Sequence, residues 1–191
     1  MDLVDIEEVM AIILGLVRGE IQLVDPQVGW KEEFLKTQQQ IHEATGLALN
    51  RIEHIGSTSI NGIKAKPMID IALGVDDIHH VPVDLLKSLK SIQFYRLQVV
   101  LENEVVLAKF LDNGKLDTKT HIIHLVEYKG QKWNDLLSFR DQLNASDLLA
   151  QEYEALKLSY LLTGNKDMND YTLYKEDFVK RTVSRNNTTD S

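Results

Sequence analysis

Two short apolar runs, LNRIEHI at 49–55 and PMIDIALGV at 67–75, flank the polar stretch GSTSINGIKAK, and together they constrain the fold more than any other segment. Both are rich in Ile and Leu and are bounded by Gly-containing turn residues, so they read as two strands joined by a connection. Alternation along the second strand puts Met68, Asp70 and Ala72 on one face and Ile69, Ile71 and Leu73 on the other. A lone carboxylate on a half-buried strand is costly unless it is hydrogen-bonded, paired with a cation or bound to metal. Lys66 is one candidate partner, and a ligand contact for Lys66 is the alternative.

The remaining patterns build around this pair. PQVGWKEEFLKTQQQIHEATGL places Trp30, Phe34 and Ile41 at near-helical intervals and ends near Gly46, an amphipathic helix. DLLKSLKSI at 84–92 fits a helix with Asp84 near its start. VVLAKFL at 105–111 and THIIHLVEY at 120–128 are separated by DNGK, which predicts a hairpin or adjacent strands. From Trp133 onward the chain turns to long helical patterns: WNDLLSFRDQL, DLLAQEYEALKLSYLL up to Gly164, and DYTLYKEDFVKRTV. The expected architecture is α+β, a small mixed sheet followed by a C-terminal helical lobe.

Residues 1–20 stand apart as an extra N-terminal helix. Their apolar run VMAIILGLV follows an acidic segment and is too short to span a bilayer, so neither a signal peptide nor an anchor is expected. Such a helix suits packing on the body or on a second copy, which leaves a homodimer open. The polar tail 184–191 is expected to be disordered. A net charge of −8 argues against a broad nucleic-acid surface, and the absence of cysteine removes disulfides, thiolate metal sites and a Cys nucleophile, in keeping with a cytoplasmic protein.

In IGSTS a glycine lets the backbone turn sharply, and successive N–H groups and hydroxyls can converge on phosphate oxygens. An ordinary capped turn would use the same residues. Here the wider run EHIGSTSINGIKAKPMIDI resembles the signature of the GrpB family, predicted members of the nucleotidyltransferase superfamily, whose usual form is close to EHIGSTSVPGLxAKPxIDI. The resemblance continues in LVDPQVGWKEEF, THIIHLVE, LLSFRDQL, EYEALK and YTLYKEDFV, and it makes residues 21–183 a single domain with a sheet of nucleotidyltransferase type.

The resemblance implies a nucleotidyltransferase-like protein that binds a nucleotide or phosphorylated small molecule with a divalent metal such as Mg²⁺. Gly56, Ser57 and Thr58 would hold phosphate, Asp70 would be the first metal carboxylate, and Ser57 and Asp70 would sit at the chemistry. The second carboxylate of the superfamily's Asp-x-Asp falls on Ala72, so a two-metal cage is incomplete. The later strand, commonly HHLH in the family, reads HIIH, with Ile122 at the second histidine. His124 is then a hydrogen-bonded pocket histidine or a metal ligand. Glu53 and Glu127 are further oxygen donors, and His54 could orient the loop.

In the helices, Arg140 and Asp141 lie in the FRD element, Tyr153 precedes Lys157 by four, and Tyr171 precedes Lys175 by four. Each Tyr/Lys pair shares a helix face and forms either a nucleotide wall, ring on base and cation on phosphate, or a solvated stripe. With Lys66, these complete the expected site. The alternatives to an active transferase are a catalytically degenerate nucleotide or metabolite binder and an interaction module.

Overall fold

Leu16–Val17 form a short strand rather than part of a helix. In the computed structural model, which describes residues 12–112, 115–165 and 167–184, β1 (Leu16–Val17) pairs antiparallel with the start of β6 (Thr118–Glu127). This corrects the expected helix over 12–17, while positions 1–11 lie outside the described residues. Gly15, at φ 121°, turns the chain, its N–H bonds Pro67 O at 2.7 Å, and Trp30 Nε1 donates to Ile13 O at 3.1 Å. An apolar run this short is ambiguous between helix and strand, and a distant pairing partner decides it.

Next come α1 (Gly29–Thr45), β2 (Ile52–Ile55), β3 (Ile69–Val75), α2 (Val83–Ser91), β4 (Tyr95–Arg96), β5 (Val105–Phe110) and β6. The main path of the sheet runs β2-β3-β6-β5-β4, with β3 and β6 parallel at its centre and the other neighbours antiparallel. The parallel pairing needs a crossover, and the segment carrying α2 and the β4–β5 ribbon supplies it. α1 ends where predicted, because Gly46 adopts φ 72° and sends its N–H back to His42 O.

The alternation read from sequence decides what each face meets. Ile69, Ile71 and Leu73 are fully buried with Ile123 and Leu125 under α1 and α2, against Trp30, Phe34 and Leu89. Each such side chain contributes about 1.5–3 kcal/mol by leaving water, so this face anchors the fold. The opposite face carries Asp70, Ala72, Ile122, His124 and Val126, and only part of it is closed.

Three helices form the C-terminal lobe over that second face: α3 (Gln131–Ala145), α4 (Asp147–Leu162) and α5 (Met168–Ser184). Ser146 caps α4 by accepting from Leu149 N, and the lobe has its own core around Phe139, Leu143, Tyr153 and Phe178. Ser184 closes α5 instead of opening the tail, and 185–191 lie outside the described residues. No helix among the described residues is long and apolar enough to cross a membrane.

Candidate functional site

Between the second sheet face and the lobe lies a cleft of about 810 Å³. Its floor is Ile55, Gly56, Ser57, Lys66, Met68, Asp70 and His124; α3 contributes Lys132, Asp135, Leu136 and Phe139; α4 adds Tyr153, and α5 adds Tyr171, Lys175, Val179 and Lys180. Sequence elements 100 residues apart therefore meet here, including Gly56, Ser57, Lys66, Asp70, His124, Tyr153, Tyr171 and Lys175 from the expected set.

Gly56 is required by its place. At φ 71° and ψ −174° it occupies a region open essentially to glycine, and an added Cβ would stand 2.3 Å from Asp70 Oδ2. The turn after it is a short 3-10 segment, Ser57–Ser59, in which Ser59 N bonds Gly56 O at 3.2 Å and Ile60 N bonds Ser57 O at 3.3 Å. Ser57 faces the cleft, as does Tyr153, whose phenol is pushed up to about 12 by burial.

Thr58 and His54 turn the other way. Thr58 Oγ1 donates to Met68 O at 3.0 Å and therefore accepts from His54 Nε2 at 3.0 Å. The His54 ring stacks on Phe34 with centroids 4.7 Å apart. Burial lowers its pKa to about 4, so it is neutral and brings no charge to a phosphate. These two residues hold the turn from behind.

Glu53 and Arg140 are spent on each other: Arg140 NH1 lies 2.7 Å from Glu53 Oε2 and donates to His54 O at 2.9 Å, while its Nε reaches Asp141 at 2.7 Å. Neither Glu53 nor Arg140 lines the cleft, so the pair fastens α3 to β2 where a metal ligand and a phosphate contact were expected. Glu127 is exposed at the far end of β6 and lines a separate hollow. Lys157 is wholly buried, donates to the Lys64 carbonyl and lies over the Tyr153 ring at 4.7 Å. It secures the loop 64–68 to α4, and burial brings its pKa down to about 7.

Tyr153 reaches the cleft, but its ring is stacked on Phe178 at 5.3 Å and edged by Phe139 at 5.2 Å. With Tyr153 only 5 % exposed as a whole residue, its ring face is not offered to a base. Tyr171 is 1 % exposed, and the ammonium groups of both Lys66 and Lys175 lie 4.1 Å from its centroid. Burial, reinforced by the neighbouring lysine, brings Lys66 down to about 7; burial brings Lys175 to about 8.

The metal expectation meets a different donor set. Ala72 is fully buried in an apolar cluster with Ile55, Val126 and Trp133, so the second carboxylate position faces no opening. His124 has Asp70 Oδ1 3.8 Å from its Nε2 and donates from Nδ1 to Glu104 Oε1 at 2.5 Å. Burial opposes its charge, yet the nearby Asp70 carboxylate and the hydrogen bond to Glu104 outweigh that and raise its pKa to about 9. Beside Asp70 there is thus an imidazolium, which repels a cation. Among the described residues no group of three or more His, Asp or Glu could hold a metal ion, and the donors around Asp70 do not fit a two-metal cage.

Glu104 and Lys132 escaped the sequence reading. Lys132 Nζ lies 3.3 Å from Glu104 Oε2. Glu104 immediately precedes β5, and because Val106 pairs with His124, the residue two before it shares that face. An acid opening an apolar strand run was the available signal. His121, by contrast, lies on the α1 face, 3.2 Å from Thr37, so the two histidines of HIIH point apart as alternation requires.

With this geometry the chain can be set beside known proteins. Residues 20–185 match the family model described as GrpB protein. The glutamate-rich protein GrpB of Alkalihalophilus pseudofirmus is 41 % identical over 168 residues, covering 87 % of this chain and 96 % of that protein. A UPF0157 protein of Streptomyces coelicolor is 32 % identical, covering 91 % and 88 %. The crystal structure of conserved protein GrpB from Enterococcus faecalis overlays with a TM-score of 0.69 at 28 % identity, covering 86 % of this chain and 96 % of that one. A family model that spans strands β2 to β6, the cleft and all three lobe helices leaves one conclusion: this chain belongs to the GrpB family.

Proposed function

We propose that the cleft binds a phosphorylated small molecule, nucleotides included, through side-chain cations and without a two-metal cage. The observation that carries this reading is the charge of the lining: Lys66, Lys132, Lys175, Lys180 and an imidazolium at His124, against Asp70, Asp135 and Glu176, in a chain whose net charge is −8. A positive recess in an acidic surface concentrates small anions while the whole molecule repels long polyanions. The apolar part of the lining, Leu136, Phe139 and Val179, offers a seat for the rest of such a ligand. In terms of the nucleotidyltransferase resemblance this is a catalytically degenerate binder, and a cysteine-free chain suits the cytoplasm for that role.

One observation favours a second reading, an active transferase: Asp70 borders the cleft against the Gly56 turn, the place that the resemblance gives to the first metal carboxylate. Thermal denaturation with ATP, CTP, GTP, UTP and inorganic pyrophosphate, each with Mg²⁺ or with EDTA, separates the two. A ligand at a hundred times its Kd adds about 2.7 kcal/mol, roughly 5–10 °C for a chain of this size. Stabilisation that persists in EDTA supports the binder. Stabilisation that requires Mg²⁺ and disappears in Asp70→Asn supports the transferase, and no response to any phosphorylated probe refutes both.

A further inference from the structure

The GSTS turn is the expected phosphate cradle, yet part of it is committed: Thr58 faces inward, and the N–H groups of Ser59 and Ile60 close the turn on itself. A different pair of groups presents positive charge to the cleft. Lys66 comes from the loop before β3 and Lys175 from α5, and both ammonium groups lie 4.1 Å from the centroid of one ring, Tyr171.

We propose that Lys66 and Lys175, mounted on the Tyr171 ring, form the seat for the ligand's phosphate or diphosphate group, in place of the glycine-serine turn. The inference rests on the binding reading above and assigns it an address.

Both arms of this clamp are held before any ligand arrives. Tyr171 and Lys175 are four residues apart on α5, so helix geometry puts ring and ammonium on one face. Lys66 is fixed through its backbone. Ala65 exchanges hydrogen bonds with Val24 at 3.1 and 2.9 Å, Met68 N bonds Lys66 O at 2.7 Å, and the buried Lys157 grips Lys64 O. Bringing two cations to one ring costs mutual repulsion, which the quadrupole of the ring reduces and an anion between them would reverse. The lowered pKa of Lys66 registers burial together with repulsion from Lys175, and that of Lys175 registers burial. Lys132 and Lys180 also line the cleft, each beside a carboxylate, Glu104 and Glu176, but only Lys66 and Lys175 among these four converge on one ring.

The experiment is calorimetric titration of the full chain with inorganic pyrophosphate in EDTA, on the wild type and on Lys66→Met, Lys175→Met and Ser57→Ala. Losing one charge-assisted hydrogen bond weakens affinity by about 10- to 100-fold. That loss is expected in each lysine variant, with Ser57→Ala within about threefold of wild type. Wild-type binding that survives both lysine changes, or that falls only in Ser57→Ala, overturns the clamp and leaves the binding reading standing. Absence of any pyrophosphate binding by the wild type overturns the clamp, and the nucleotide panel then judges the broader reading separately.

Acetylation of the wild type, mapped by mass spectrometry, guards against variants that fail to fold. Pyrophosphate is expected to slow acetylation of Lys66 and Lys175 by about tenfold, matching occupancy near ten times Kd. Unchanged acetylation of both at saturating pyrophosphate overturns the proposal.

Discussion

Glu104 accepts from His124 Nδ1 at 2.5 Å and so aims the other ring nitrogen at Asp70, 3.8 Å away. An imidazole between two carboxylates is charged well above its ordinary range, and the folded pKa of about 9 exceeds the ordinary 6.5. A pKa raised on folding gives stability that is complete below pH 6.5 and lost as pH climbs through 9. NMR titration of the His124 ring should show a midpoint near 9, falling toward 6.5 in Glu104→Gln, together with a flatter dependence of the melting temperature between pH 6.5 and 9.5. An unmoved midpoint in that variant would refute the role given to Glu104.

Ala72→Asp tests why the second carboxylate is missing. The site is enclosed by Ile55, Val126 and Trp133, so the new carboxylate would be buried without a partner, at a cost of about 3 kcal/mol or more. Chemical denaturation should register that loss, and calorimetry should find no gain in Mg²⁺ affinity. A folded variant that acquires tight Mg²⁺ binding would contradict this geometry.

Gly56→Ala should be costly for two separate reasons, a backbone region closed to side chains and overlap with the Asp70 carboxylate. About 2–3 kcal/mol is expected, read as a melting temperature lower by roughly 4–12 °C. A variant as stable as the parent would mean that the turn does not pack on Asp70 as described.

Lys157→Met keeps volume in the core but leaves the Lys64 carbonyl without its ammonium donor. A loss of about 1–3 kcal/mol in folding stability is predicted from an unsatisfied buried acceptor. The expected signature is faster amide exchange across 64–68, with the sheet core unchanged; protection equal to wild type in that loop would count against the tether.

His54 and His121 give the acid limb of the stability curve. Burial holds both near a pKa of 4 and therefore neutral in the fold, whereas the unfolded chain takes up their protons below pH 6.5. Stability should thus decline from pH 6.5 toward 4. His54→Asn, measured by denaturant titration across that range, should show a shallower decline, and an identical slope would exclude His54 as a source.

What could be read from sequence was whatever a local period or a turn residue encodes. Trp30, Phe34, Ile41 and Gly46 defined α1, and the alternation around Asp70 sorted the two faces of β3 correctly. The interior parallel pairing of β3 with β6 left no local trace, and neither did the pairing that makes Leu16–Val17 a strand. The site shows the same division. Asp70 and the turn were legible because a charge in an apolar run is conspicuous. The work of Thr58, His54, Arg140 and Lys157 depends on which way each side chain turns once distant elements dock. Glu104 became visible only through the register that sets Val106 beside His124.

The distance in sequence between Lys66 and Tyr171 has a consequence for the growing chain. The β2–β3 hairpin can close early, since its strands are neighbours, but the ring on which Lys66 rests is made about a hundred residues later. Until then the cleft lacks the wall that α5 supplies, Tyr171, Lys175 and Val179. The cleft is accordingly complete only once α5 has been made, and a ribosome stalled before α5 would hold a sheet whose cleft still lacks Tyr171 and Lys175.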